Sequence, residues 1–180
     1  METDRMKIRK ATLADLDEIM CIYAYARSFM AKTGNPKQWG ATGWPPRDLI
    51  EQDIKQQKCH VCVHNKEIGA AFFYDYGRDI DPCYDVIENG AWLENSPYGV
   101  VHRIAVAEGR KGMGSFCINW AYEQCGHLRM DTHGDNTVMR NLLKKLGFKQ
   151  CGIIYVEEDS DPRIAFEKCS KDFCISPSTV

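Results

Sequence analysis

The stretch from His102 to Ser115, HRIAVAEGRKGMGS, constrains the fold more than any other part of the chain. A run rich in Val and Ile meets a turn containing Gly109, Gly112 and Gly114. Helical spacing then begins at Met113 and continues through Phe116, Cys117, Trp120 and Ala121. A strand feeding a helix through a glycine turn is a unit of α/β architecture. Such a turn also leaves backbone N–H groups unpaired at the helix start, where the macrodipole adds about half a positive charge. With Arg110 and Lys111 beside it, the turn is either an anion cradle or a tight connection with solvated cations.

The remaining segments extend that unit. MKIRKA reads as a first strand, and Thr12 with Asp15 makes a capping-box pair ahead of a helix carrying Leu16, Ile19, Met20, Tyr23 and Met30. That helix is expected to run to about Lys32 and to stop at Gly34, Asn35 and Pro36. RDLIEQDIKQQ reads as a second helix, and CHVCVHNKEIGAAFFYDYG as a hairpin turning at Asn65 and Lys66. Residues Arg78 to Pro97 read as a short helix or a packed loop. HLRMD is a strand, Val138 to Leu146 a helical stripe stopped by Gly147, and FKQCGIIYVEE and PRIAFEKCS two further strands. The order is β-α-α-β-β followed by β-α-β-α-β-β. It predicts one α/β (α+β) domain, a mixed central sheet of about six to seven strands flanked by about four helices. The domain is expected over residues 6–170, with tails at 1–5 and 171–180.

Composition excludes several classes. A net charge of −2 gives no basic footprint for nucleic acid, and no apolar run is long enough to span a bilayer. The polar start METDRMKIRK lacks a signal-peptide core, so a cytosolic location is expected. Nine cysteines, an odd number, exclude a pure intrachain disulfide framework. Cys59 and Cys62 form a single C-x-x-C, but strand spacing sends them to opposite faces, so no metal site is expected.

Three phosphate motifs compete for the glycine turn. A Walker loop fails because Ser115 stands where its Lys belongs. A dinucleotide fingerprint starting at GMGSFC has Cys117 in place of its third glycine. A pyrophosphate loop of the acyl-coenzyme A type fits, with glycines at Gly112 and Gly114.

Three segments in order bear on that choice. HRIAVAEGRKGMGS, LRMDTHGDNTVMRNLLKKLGF (Leu128 to Phe148) and IRKATLADLDEI resemble the signatures of the GNAT superfamily of acyl-coenzyme A N-acyltransferases. The resemblance runs from Met6 to Lys168. It implies an N-acetyltransferase that moves an acetyl group from acetyl-coenzyme A to an amine of a small molecule or amino-acid-like acceptor, by direct transfer in a ternary complex. It implies that the Ile104, Ala105 and Val106 strand pairs with the pantetheine arm, and that N–H groups of Arg110, Lys111, Gly112, Met113, Gly114 and Ser115 hold the pyrophosphate. Asn136 matches the family Asn near the pantetheine, with Met139 and Lys144 in the same groove. One departure is Gly109, which stands where family members commonly carry Gln or Arg.

Amine acylation needs a base for the ammonium and a donor for the developing oxyanion. His102, with an ordinary pKa of about 6.5, is the candidate base; its alternative is a satisfied sheet histidine. Strand alternation is expected to put His102 on the face of Ile104 and Val106, and Arg103 on the other. A Val106 or Ile104 backbone N–H would serve the oxyanion. Family members often carry a Tyr acid where Leu143 stands, leaving Tyr155, and more weakly Cys151, as substitutes or simple sheet packing. Trp39, Tyr84 and Trp92, with Trp44 and Tyr98, occupy segments where the family builds acceptor walls. Two other classes stay open: a non-catalytic coenzyme A-binding or regulatory module, favoured by Leu143, and a nucleotide-binding protein using the same turn. No nucleic-acid or membrane partner is expected, and a homodimer is left open.

Overall fold

The sheet is built outward from a hairpin. Asn65 and Lys66 have φ of 52° and 68°, the left-handed pair that a tight two-residue turn needs. They join β2 (Cys59–His64) to β3 (Glu67–Gly77). The structure is a computed structural model and describes residues 5–170. Apart from Arg5, the two expected tails lie outside the described residues.

Around the hairpin the chain adds β1 (Lys7–Lys10), α1 (Leu16–Lys32), α2 (Arg47–Lys55), β4 (Tyr98–Val106), α3 (Met113–Cys125), β5 (His127–His133), α4 (Thr137–Lys145), β6 (Lys149–Tyr155) and β7 (Pro162–Cys169). Short 3₁₀ turns precede α1 at Leu13–Asp15 and follow β3 at Pro82–Tyr84. The seven strands form one mixed sheet in the order β1-β2-β3-β4-β5-β7-β6. Its four helices and element order are those predicted, and the stretch after β3 is a packed loop with one 3₁₀ turn. Thr12 and Asp15 act as expected: the Thr12 N–H donates to Asp15 at 2.7 Å. Arg9, bonded to the same carboxylate, holds it down at about 2, with help from Thr12.

Sequence neighbours on a strand feed opposite layers. Val61, Ala71 and Ala105 pack under Leu16, Ile19, Tyr23, Ile50 and Ile54 of α1 and α2. Cys62, Ala70, Phe72, Leu128 and Met130 pack under Cys117, Ile118 and Leu143 of α3 and α4. Cys59 and Cys62 therefore do part to opposite layers. A third cluster joins Tyr84, Tyr98 and Val100 to Ile154 and Ala165. The long β3–β4 connection reaches across to the far edge of the sheet. There Glu88 exchanges two backbone hydrogen bonds of 2.8 Å with Ile153, covering the open edge of β6.

A buried charge holds that connection down. Glu167 is fully buried; its carboxylate accepts from the Leu93 N–H and, at 3.0 Å, from Arg129 Nε, and lies 2.5 Å from His127 Nε2. Arg129 is sandwiched 4.3 Å from the Trp92 ring and 4.1 Å from Tyr98, and donates to the Glu94 carbonyl at 2.6 Å. Burial pushes the Glu167 carboxyl up, but His127, Leu93 and Arg129 outweigh it and hold it below its ordinary value. A depressed carboxyl adds stability above its unfolded pKa of about 4.3 and loses it as pH falls through the folded value. Glu167→Gln strands Arg129 and His127, so a loss of about 3–5 kcal/mol is expected in denaturant unfolding at pH 7. The acid-side loss of stability below about pH 4.3 should be shallower in the variant than in the parent.

Candidate active site

The cleft begins where two parallel strands part. β4 and β5 pair only at Gly99 with Leu128 and Val100 with Arg129. Beyond Val100 the edge of β4 facing β5 is unpaired. The cause lies on the other edge of β4, where Ala71 pairs with Ala105 but Phe73 pairs with His102. Phe72 thus opposes two residues, Arg103 and Ile104, and Arg103 takes φ 52°. This is a β-bulge, which bends and twists the strand that carries it. A cleft of about 270 Å³ opens between the diverging strands, floored by Val101, Ile104, Met130 and Thr132.

The bulge corrects the expected side-chain alternation. His102 and Arg103 both lie against Phe73, with the imidazole 5.9 Å away between centroids and the guanidinium 4.6 Å from the ring. Ile104 and Val106 pack with the α3 and α4 layer instead. His102 therefore does not share their face, and Arg103 does not oppose it; the extra residue reverses the register between them.

His102 sits between two carboxylates. Its Nε2 lies 2.7 Å from Asp81 Oδ2, and its Nδ1 lies 3.7 Å from Asp131 Oδ2. Nε2 is buried, and its contact with Asp81 is not aligned as a hydrogen bond. Tyr84 donates its hydroxyl to Asp131 Oδ2 at 2.8 Å and presents its ring edge-on to the imidazole at 5.7 Å. Burial, together with Asp131 and Asp81, pushes the Tyr84 phenol far up, so it stays a donor. Burial pushes Asp81 up, but His102 and the Cys83 N–H bring it below the ordinary carboxylate value. Arg103 adds little net charge, because Asp53 of α2 holds it at 2.7 and 3.1 Å.

At the glycine turn, Gly112 takes φ 81° and opens α3. The Arg110 and Lys111 N–H groups are committed to the Ala107 and Gly109 carbonyls, at 3.2 and 3.1 Å. This narrows the expected cradle to Gly112, Met113, Gly114 and Ser115, whose N–H groups have no backbone acceptor among the described residues. The Arg110 side chain pairs with Glu67, while Lys111 is exposed. A Cβ at Gly114 would point into the groove between α3, β4 and α4, 3.6 Å from Leu142 and 3.7 Å from Val106. Those distances are ordinary contacts, so the protein's own packing does not demand glycine there.

Asn136 caps α4, accepting from the Met139 N–H at 3.0 Å, and its amide donates to Gln38 at 3.0 Å. Asn35 donates to the same Gln38 oxygen at 2.8 Å. Asn136 and Met139 line the cleft, whereas Lys144 is exposed in the last turn of α4 and does not. Trp39 and Trp44 form the opposite wall. Tyr84 lies behind His102, and Trp92 lines a separate hollow of about 390 Å³ beside Arg129. Tyr155 is 49% exposed on β6 and stands outside the cleft. As an acid it is misplaced, because the buried Ile154 beside it takes the inward position. Leu143 is fully buried in the α3 and α4 layer.

Sequence reasoning missed Asp81, Asp131 and Gln38. Asp131, a carboxylate set between Met130 and Thr132 in a buried strand, was the one available signal. Among the described residues His127, Glu167 and Cys169 approach within 4.8 Å as potential metal ligands, but the Glu167 carboxylate is already committed to Leu93, His127 and Arg129.

No protein-family model and no curated protein sequence matches the chain. The solved structure of a GNAT-family acetyltransferase from Streptococcus agalactiae is 31% identical, with a TM-score of 0.82 over 92% of this chain and 96% of that one. The chain belongs to the GNAT family. A GNAT-family acetyltransferase from Listeria monocytogenes shares the fold at 17% identity, with a TM-score of 0.67 over 91% of this chain and 94% of that one. So does Arabidopsis thaliana NAA60 in complex with acetyl-CoA, at 12% identity and a TM-score of 0.63 over 92% of this chain and all of that one (100%). No helix among the described residues is long and apolar enough to cross a membrane.

Gly114 offers a direct test of the groove. Gly114→Ala should leave the free protein as stable or stabilise it by up to about 1 kcal/mol, since Ala is the better helix former. The same change should weaken acetyl-coenzyme A binding, read by calorimetry.

Proposed function

We propose that this GNAT-family protein is an acetyl-coenzyme A-dependent N-acetyltransferase acting on the amine of a small molecule or amino-acid-like acceptor, by direct transfer in a ternary complex. The observation that carries this reading is His102, placed at the β4–β5 split between Asp81 and Asp131. The residues that fit the acyl donor are the Gly112–Ser115 N–H groups for the pyrophosphate, and the unpaired edge of β4 with Asn136 for the pantetheine. Bound there, the donor supplies an activated thioester.

The acceptor enters as an ammonium, with an ordinary pKa near 10. The His102 imidazole takes its proton directly or through water. Asp81 and Asp131 stabilise the imidazolium so formed, and the Tyr84 hydroxyl keeps Asp131 in place. An Ile104 or Val106 backbone N–H meets the developing oxyanion. The acceptor side also carries Glu157 and Glu158 at its rim, while Asp159 neutralises Arg163 at 2.6 and 3.1 Å. This balance suits a cationic acceptor, whose apolar body lies against Trp39 and Trp44.

A cysteine acyl-enzyme is disfavoured. Cys83 lines the cleft, but burial and the neighbouring Asp81 push its thiol up to about 12, leaving little thiolate at neutral pH. We also place the protein in the cytosol, where its cysteines would stay reduced.

Acetyl-coenzyme A should raise the melting temperature where ATP and NAD do not, and an amine panel should release free thiol. A protein stabilised by coenzyme A but silent on a broad panel would favour the non-catalytic module. His102→Gln should lower kcat by about 10²–10⁴-fold and spare acetyl-coenzyme A binding. Asp81→Asn removes one of the two carboxylates that face the imidazole, so kcat should fall while acetyl-coenzyme A binding is spared. An unchanged kcat in His102→Gln would argue against His102 as the base.

A further inference from the structure

β5 pairs with β7 without interruption from His127 to His133, so its side chains alternate cleanly. Leu128 and Met130 enter the α3 and α4 layer, and Thr132 follows them on that face. Asp131 lies on the other face with His102 and Tyr84. Thr132 is 1% exposed and lines the cleft, yet its hydroxyl has no hydrogen-bond partner.

A buried hydroxyl without a partner is costly and uncommon in a folded protein. Valine would fill the same space without that cost. On this side the cleft is otherwise lined by apolar Val101, Ile104, Met130 and Met139, and by Asn136, which is committed to its cap and to Gln38. Thr132 is thus the uncommitted polar side chain on the face opposite His102.

We propose that the Thr132 hydroxyl donates a hydrogen bond to the thioester sulfur of the acyl donor, and to the thiolate as it departs. The inference rests on the acetyltransferase reading above. The acceptor nitrogen adds to the carbonyl carbon from the His102 side, and the thioester sulfur stays with the donor along the face of Ile104 and Val106, where Thr132 stands. As the tetrahedral intermediate collapses and the C–S bond breaks, its electron pair goes to sulfur. His102, having passed the ammonium proton to water, takes the second proton that the nitrogen sheds as the amide forms and passes it on in turn. Thr132 keeps its own proton, since an alcohol is a far weaker acid than a thiol of pKa about 8.5. It stabilises the leaving group by a charge-assisted hydrogen bond. This supplies the role that Leu143 cannot.

The test compares the parent protein with Thr132→Val and Thr132→Ser. Calorimetry measures binding of coenzyme A and of desulfo-coenzyme A, which lacks the sulfur, and turnover is followed with acetyl-coenzyme A. The parent should bind coenzyme A more tightly than desulfo-coenzyme A. Thr132→Val should erase that difference and lower kcat by about 10–100-fold at unchanged acceptor KM, and Thr132→Ser should restore both. The melting temperature of ligand-free Thr132→Val should equal or exceed that of the parent, which shows that the variant folds. Thr132→Val that keeps the coenzyme preference and the turnover overturns the role of Thr132 while leaving the acetyltransferase reading intact. A parent protein that binds neither coenzyme overturns both.

Discussion

The left-handed backbone at Arg103 is the constraint on which the site depends. A non-glycine residue at φ 52° in a strand costs about 1–3 kcal/mol and persists only where its surroundings fix it. Three contacts do so: Asp53 binds the guanidinium, Phe73 lies beneath it, and the buried Tyr23 donates to the Arg103 carbonyl at 2.7 Å. Asp53 and Tyr23 belong to α2 and α1, and Phe73 to the neighbouring strand β3. The first two helices thus hold the bulge in β4, and the bulge in turn separates β4 from β5.

That separation divides the chemistry between the faces of one sheet. His102 turns toward the loop that brings Asp81 and Tyr84, whereas Ile104 and Val106 turn toward α3 and α4. Without the extra residue, His102 would share a face with Ile104 and Val106. The same bend leaves the edge of β4 unpaired from Val101 onward, which frees the backbone groups a pantetheine-like chain can use. A single inserted residue thus goes with the cleft, the turning of His102 away from Ile104 and Val106, and the exposed strand edge.

The elements were legible because each is dictated locally. Leu16, Ile19 and Tyr23 repeat at helical spacing, Asn65 and Lys66 punctuate the hairpin, and Gly112 and Gly147 mark helix boundaries. The bulge was not legible, because Arg103 carries no signal of left-handed backbone and alternation is a rule applied residue by residue. Its consequences were lost with it: the face of His102 was assigned wrongly. Asp81 was invisible for another reason. It arrives from a long loop whose path is fixed by distant contacts, including Glu88 on β6 and Leu93 on Glu167. Tyr155 failed as an acid because residue type suggested a role that position on an edge strand denies. The glycine turn was readable as a helix start because Gly112 and the helical spacing after it are local signals, whereas Asn136 entered only through the family resemblance and its place as the α4 cap was not foreseen.

Where the polar groups are satisfied, and where they are not, completes the picture. Glu167, fully buried and far from the cleft, has partners in Leu93, His127 and Arg129. Five buried side-chain atoms among the described residues lack a hydrogen-bond partner: Asn35 Oδ1, His102 Nε2, Thr132 Oγ, Arg140 Nε and Ser170 Oγ. His102 and Thr132 line the cleft on its two faces, and Asn35 bonds the cleft residue Gln38. Arg140 and Ser170 do not line the cleft. Selection for stability alone would favour apolar isosteres at Thr132 and a conventional strand at Arg103. A chain that satisfies a buried charge at Glu167 yet leaves the Thr132 hydroxyl unpaired at the split is not built for stability alone there.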